Sequence, residues 1–424
     1  MAVKKVVLPG GLRVLAVPMK NAKSVTVLIL VGTGSKYETK DINGMSHFLE
    51  HMFFKGTKKR PNTLKISETL DMIGGAYNAF TSKEVTGFWA KVDKKHTDTA
   101  LDWISDMFLH SKFEAAEIEK EKGVVIEELN MYLDMPNVYV EELFEDLLYG
   151  DQPAGWRIVG ERENILSFNR EKMIQYYQTH YSGENTVVCV AGDVGVAQIQ
   201  QKMKKYFADM KIHTALGKEK TKEVQTEPQA LFHYKKTDQT HFCLGVRAYD
   251  MFHKDKYALN LMSIMLGGNM SSRLFISVRE RNSLAYYVHT NYDGTSDTGY
   301  LMTQAGIKNE SLAKAIPLIL QEYQDLRDNP VSAKELQKAK DYLRGTMSLS
   351  LDSTDAQASY YATQEVMEHK TVSPEEKLKL IDKVSVKDIQ RVAKDIFVPE
   401  KLNLSVIGPI EQKDSAKFKS LLVL

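Results

Sequence analysis

Apolar positions change period repeatedly along the chain, and each change marks an element. Val25-Thr26-Val27-Leu28-Ile29-Leu30-Val31 is an unbroken, β-branched run that predicts a central strand. Before it, Val6-Val7-Leu8, a Pro9-Gly10-Gly11 turn and Leu12 to Val17 predict an opening β-hairpin. After Pro61, Leu64, Ile66, Leu70 and Ile73 recur at helical spacing and stop at Gly74-Gly75. Ala76 to Thr81 and Val85 to Val92 then predict paired strands, the second alternating through Phe88, Ala90 and Val92. Helical spacing returns from Thr97 to Leu109 and from Glu114 to Tyr132. Pro136 interrupts it, and Val138 to Leu148 resumes it. Asn185 to Val190 predicts a strand closed by Ala191-Gly192-Asp193, and Val196 to Phe207 a helix.

Residues Lys211 to Gln229 lose this patterning. Lys, Glu and Thr dominate them, which predicts a linker. Beyond it the pattern restarts: Phe242 to Val246 is strand-like, and a helix runs from Lys256 to Leu266-Gly267-Gly268. Leu402 to Pro409 closes this half as Asn185 to Asp193 closes the first. The expected fold is α+β, an internal duplication of two α/β-sandwich domains, each with an antiparallel-rich mixed sheet. The expected boundaries are a domain at 1–210, a linker at 211–229 and a second domain at 230–424.

Composition narrows the function. With 424 residues, 43% hydrophobic and 26% charged, the chain reads as a globular protein of more than one domain. A net charge of +1 supplies no electrostatic case for nucleic acid or an anionic membrane. Cys189 and Cys243 stand far apart and form no CxxC, which argues against a disulfide framework and a thiolate metal site. The start, Met1 to Lys5, has no signal-peptide core, and no run approaches ~18 apolar residues, so no membrane insertion and a cytoplasmic location are expected.

Candidate chemistry concentrates in Gly44-Met45-Ser46-His47-Phe48-Leu49-Glu50-His51-Met52-Phe53. On a helix, His47, Glu50 and His51 fall within an arc of about 100°, and Phe48, Leu49, Met52 and Phe53 cover the rest. Two imidazoles one turn apart can meet one metal ion, and a carboxylate beside them can deprotonate the metal's water. A third ligand must come from elsewhere. The glutamate-rich stretch from Glu114 to Glu128 ends in apolar Val124, Val125, Ile126 and Leu129, which could draw a carboxylate inside. Glu121 and Glu128 share a helix face, but Glu127 competes, and periodicity leaves that choice open.

At this point the sequence resembles the pitrilysin-type, inverted-zincin metallopeptidases. The likeness is to the smaller branch that includes mitochondrial processing peptidase and its bacterial relatives. His47-Phe48-Leu49-Glu50-His51 matches the inverted His-x-x-Glu-His motif, flanked by matching Gly34 to Glu38, Asn43-Gly44 and Phe54-Lys55-Gly56-Thr57. The resemblance selects Glu128 as the third zinc ligand and gives Glu121 a supporting role. It also implies that Asn78, Ala79 and Phe80 lie on an edge strand that pairs with extended substrate. Ser272 to Phe275 and Arg279 to Tyr286 match a second-half signature. It departs at Ser283, where a glycine is more usual. Leu266-Gly267-Gly268-Asn269-Met270 is short, unlike the long glycine-rich loop of the non-catalytic processing-peptidase subunit.

What the resemblance implies is a zinc endopeptidase with one Zn2+ per chain and Glu50 as general base. Tyr286 would share the oxyanion, and Arg279 would hold a substrate carbonyl or orient Tyr286. Substrates would be unstructured peptides or presequence-like segments cut inside a chamber of four domains. Two such chains would be needed, as a homodimer or with a homologous partner. The competing reading is a non-catalytic partner or scaffold subunit.

Overall fold

The computed structural model describes residues 3–424, so Met1 and Ala2 of the expected N-terminal start lie outside the described residues. Two compact units emerge, and each is assembled from three stretches of chain. The first takes 1–129, 157–219 and 348–373; the second takes 130–156, 220–347 and 374–424.

The first unit is built on a six-stranded sheet: β1 (Lys4–Val7), β2 (Arg13–Pro18), β3 (Ser24–Val31), β4 (Ala76–Thr81), β5 (Thr86–Asp93) and β6 (Thr186–Gly192). Their order is β1-β2-β6-β3-β5-β4, with β2 and β6 parallel and every other pair antiparallel. The helices are α1 (Met45–Phe53), α2 (Thr63–Asp71), α3 (Thr97–His110), α4 (Ala115–Asp134), α5 (Pro136–Tyr149), α6 (Arg162–Ser167), α7 (Arg170–His180) and α8 (Val196–Tyr206), of which α5 belongs to the second unit. Central β3 and β6 are buried almost throughout because helices cover both faces, which explains their continuous apolar runs.

The second unit repeats the plan with β7 (Gln229–Tyr234), β8 (Gln239–Ala248), β9 (Ala285–Gly294), β10 (Gly299–Lys308) and β11 (Leu402–Gly408). The order β7-β11-β8-β10-β9 is that of β2-β6-β3-β5-β4 strand for strand, and β7 and β11 are again the parallel pair. Its helices are α9 (Lys256–Gly267), α10 (Leu312–Asp328), α11 (Ala333–Ser350), α13 (Pro374–Asp382), α14 (Val386–Ile396) and α15 (Ser415–Lys419), while α12 (Thr354–Glu368) belongs to the first unit.

The units therefore differ from the two sequence halves by an exchange of helices. Ala358, Tyr361, Ala362 and Val366 of α12 pack on Leu15, Leu28, Leu30, Cys189 and Ala191 of the first sheet. Polar anchors hold α12 there: Lys5 and Arg13 both reach Glu365, and Lys91 pairs with Asp355 at 2.6 Å. Val140, Leu143 and Phe144 of α5 pack on Cys243, Met302 and Ile407 of the second sheet, and Ser405 Oγ donates to Val140 O at 2.8 Å. Residues 211–228 form no helix or strand, in keeping with a linker composition, but they are tied down. Thr221 N–H donates to Asp297 and Lys222 N–H to Gln152, each at 2.8 Å. Among the described residues no helix is long and apolar enough to cross a membrane.

Candidate active site

Helix α1 enters between β3 and β4, and its start is tightly specified. Gly44, the residue before it, has φ +99°, and a Cβ there would strike the Val159 carbonyl. The first turn of any helix leaves N–H groups without partners. Here buried Glu38 supplies them: its carboxylate accepts from Gly44 N–H at 2.8 Å, Ser46 N–H at 2.7 Å and Asn43 Nδ2 at 3.0 Å. Burial pushes the Glu38 carboxyl up to about 7 against the pull of those donors. Ser46 Oγ shares a further hydrogen bond with the buried Tyr176 hydroxyl at 2.7 Å. Phe48, Leu49, Met52 and Phe53 are fully buried, so the helix cannot rotate without exposing them.

That fixed phase turns His47 and His51 toward Glu128 of α4. His47 Nε2 lies 3.6 Å from Glu128 Oε1, and His51 Nε2 lies 3.2 Å from Glu128 Oε2. One ligand atom from each of the three residues falls within 4.8 Å of the others, which among the described residues is the one such group. A tetrahedral ion held at about 2.0–2.2 Å requires neighbouring ligand atoms about 3.3–3.6 Å apart, the zinc geometry. The two imidazole–carboxylate separations, 3.6 and 3.2 Å, lie near that range. Glu127, the competing carboxylate, is exposed and is not a member of this group. Hydrogen bonds from His47 and His51 hold the Glu128 carboxyl far below the usual carboxylate range. Burial would lower His51, but its hydrogen bonds to Glu121 and Glu128 prevail and push it up to about 9. A divalent cation would take the place of that proton.

Glu121 and Glu50 adjoin the cluster, Glu121 through a hydrogen bond to His51 and Glu50 by its place on α1. His51 Nδ1 lies 2.9 Å from Glu121 Oε1, so Glu121 fixes the tautomer that leaves Nε2 facing Glu128. Lys55 Nζ meets the other Glu121 oxygen at 2.5 Å. Burial opposes ionisation of Glu121, yet the hydrogen bonds from His51 and Lys55 outweigh it and keep its carboxyl below the ordinary range. Glu50 is not part of the three-residue group. Burial pushes its carboxyl upward, and a 2.6 Å hydrogen bond from Thr81 Oγ1 to Glu50 Oε2 opposes that push.

Thr81 belongs to β4, which pairs only with β5 and is therefore a sheet edge. Asn78 and Phe80 on it are exposed and Ala79 is half-buried. Arg279 and Tyr286 lie in the second unit, beside one another. Arg279 sits in a π-helical turn, Phe275–Arg281, with its guanidinium 4.8 Å from the Phe275 ring centre and 5.9 Å from that of Tyr286. Tyr286, near the start of edge strand β9, is 74% exposed. Ser283, between them, has φ +51°, so the chain adopts there the backbone that glycine favours.

Sequence reasoning missed the roles of Lys55, Thr81 and Glu38. Lys55 carried a signal, since it stands one helical turn beyond His51. Glu38 and Thr81 lie in stretches that share the family resemblance, but nothing in the sequence names their partners, which are set by folding.

Comparison with known proteins places this arrangement. A family model described as insulinase, peptidase family M16, matches residues 13–161, and one described as the peptidase M16 inactive domain matches 167–343. A Bacillus subtilis protein named uncharacterized zinc protease YmxG is 37% identical over 410 residues, 96% of this chain and 98% of that one. A Streptomyces coelicolor protein, also named an uncharacterized zinc protease, is 30% identical over 421 residues, 98% of this chain and 91% of its own. A solved protease from Helicobacter pylori shares the fold with a TM-score of 0.90 at 24% identity, covering 96% of this chain and 99% of that one. A Pseudomonas fluorescens structure described as a peptidase M16 inactive domain does so at 0.89 and 17%, covering 97% and 98%. Fold and site thus describe a duplicated α+β protein with, among the described residues, one metal-type cluster, carried by its first unit. The chain belongs to peptidase family M16.

Proposed function

We propose that this chain is a zinc-dependent endopeptidase of the inverted His-x-x-Glu-His type that cleaves unstructured peptides. The observation that carries the reading is the His47, His51 and Glu128 group, a ligand set of two histidines and one glutamate whose atoms lie within 4.8 Å of one another, with Glu50 next to it on α1. A zinc ion bound there would supply Lewis acidity and lower the pKa of a bound water from 15.7 to about 7.

The protein's own groups do the rest. Glu50 takes the proton of the attacking water on Oε1, the oxygen Thr81 does not engage, and returns it to the leaving amine nitrogen. A carboxyl pushed upward by burial is suited to both transfers. Edge strand β4 binds the peptide through backbone hydrogen bonds, which favours extended segments over folded ones. Tyr286 donates to the oxyanion, a contribution of about 3–4 kcal/mol for one such donor, and Arg279 holds Tyr286 or a substrate carbonyl. By the family resemblance, these two serve the metal site of a second copy in a two-fold homodimer, or of a homologous partner in a heterodimer.

Metal analysis with a fluorogenic peptide tests the reading. Glu50→Gln should abolish turnover with zinc near one per chain, whereas Glu128→Gln should lose both. An apo Glu50→Gln variant, or a fully loaded and active Glu128→Gln variant, would overturn these roles. A wild-type chain that binds zinc and cuts no peptide would favour a scaffold subunit instead.

A further inference from the structure

We propose that Thr81 is a positioning residue that ties the orientation of Glu50 to the strand on which substrate is received. This rests on the peptidase reading and adds to it a residue outside the metal and base set. Backbone groups on a strand face alternate sides, so only every second residue of β4 can bond to β5. In the β4–β5 turn, Ser82 N–H donates to Val85 O at 2.9 Å, which directs the backbone N–H and C=O groups of Ser82, Phe80 and Asn78 toward β5. Tyr77, Ala79 and Thr81 then present their N–H and C=O groups to the open edge. Ala79 agrees with this: its N–H is taken up by a side chain, Asn78 Oδ1, at 2.9 Å and not by β5.

Thr81 therefore has two faces of action. Its backbone lies on the edge where an extended peptide would pair, and its hydroxyl donates to Glu50 Oε2 at 2.6 Å. Strand β4 packs against α1, so a peptide drawn onto this edge is aligned by the same residue that orients the base. With Oε2 held, Oε1 is the oxygen left to receive a proton. Valine has the shape of threonine without the hydroxyl, so Thr81→Val removes this one hydrogen bond and leaves the strand intact.

The test compares Thr81→Val and Thr81→Ser with the wild-type chain, all zinc-loaded. A hydrogen bond to a charged group predicts that Thr81→Val lowers kcat about 10- to 100-fold, with KM within about twofold and zinc content unchanged. Thr81→Ser should recover most of kcat. Crystal structures give a readout independent of turnover: Glu50 should leave its single rotamer in Thr81→Val and keep it in Thr81→Ser. An unchanged kcat, a loss confined to KM, a serine variant as poor as valine, or an undisturbed Glu50 rotamer would each overturn the proposal. If Thr81→Val does not fold, Thr81→Ala read by the same rotamer and kcat criteria replaces it. A wild-type chain without peptidase activity would sink the peptidase reading, while the rotamer comparison would still decide whether Thr81 holds Glu50.

Discussion

Helices α1 and α9 occupy the same place in the two units, α1 between β3 and β4 and α9 between the corresponding β8 and β9, but only α1 adds ionisable residues to its apolar face. Helix α9 is plain core: Ala258, Leu259, Leu261, Met262, Ile264, Met265 and Leu266 are all buried. Helix α1 places His47, Glu50 and His51 in the matching position. Burying ionisable groups is costly unless they are paired. The first unit meets that cost with groups from α1, α4 and β4: Glu128 against both imidazoles, Glu121 and Lys55 behind His51, Thr81 on Glu50. The second unit has no such cost to meet on α9. Its candidate chemistry sits instead on the exposed turn and strand of Arg279 and Tyr286. One scaffold thus carries a site that the fold must compensate and another that it need only display.

The sharpest way to break this division of labour is complementation. Glu50→Gln and Tyr286→Phe should each be nearly inactive alone. Mixed with subunit exchange, they form heterodimers with one intact site and one doubly defective site. Random equal mixing should restore roughly a quarter of wild-type sites, by counting over a two-fold dimer. Absence of recovery despite demonstrated exchange would mean that each pair serves its own chain.

A smaller effect separates the two helix entries. Helix α1 begins at a glycine in a left-handed conformation, whereas α9 begins at Asp255 with φ −92°, which any residue adopts. Asp255 is held by Arg391 in a two-point pair at 2.7 Å, but the arginine is half exposed. Gly44→Ala should lower stability by about 2–4 kcal/mol, from the backbone conformation and the collision with Val159. Asp255→Ala should cost about 0–1 kcal/mol, as partly exposed pairs do. Urea unfolding midpoints compare them, and equal losses would show that α1 tolerates a repositioned start.

These contrasts also mark how far the sequence could be read. The β-branched run of β3 and the helical spacing of α3, α4, α5 and α9 carry local signals strong enough to locate elements to within a residue or two. The paired imidazoles were legible for the same reason, since their spacing is a property of one helix. Helix α12 was not legible as part of the first unit. Its apolar stripe says that it must be buried, not on which sheet, and its deciding partners Lys5, Arg13 and Lys91 stand more than 260 residues away. Glu128 and Glu127 are adjacent on α4: periodicity leaves the choice open, the family resemblance selects Glu128, and the packed helix brings Glu128 to His47 and His51. Thr81 is one threonine among many until β4 folds against α1.

Ser283 offers the finest test, because it poses the problem of Gly44 and answers it without glycine. It lies at φ +51°, three residues before Tyr286, with its N–H donating to Arg279 O and the next N–H, of Leu284, donating to Val278 O, both at 3.0 Å. These two hydrogen bonds hold the turn between Arg279 and Tyr286, so the strain is maintained by the structure around it. A left-handed conformation costs a non-glycine residue roughly 1–2 kcal/mol. Glycine removes that strain but gives the unfolded chain more freedom, which returns about 0.4–1 kcal/mol. Ser283→Gly should therefore stabilise the protein by about 0.5 kcal/mol, the reverse in sign of Gly44→Ala, with peptide turnover unchanged. Ser283→Ala keeps the strain and should gain nothing. A glycine variant less stable than wild type would mean that the serine side chain, and not the backbone, holds this turn. A fall in kcat without loss of stability would mean that a stiff turn is needed to keep Tyr286 in place.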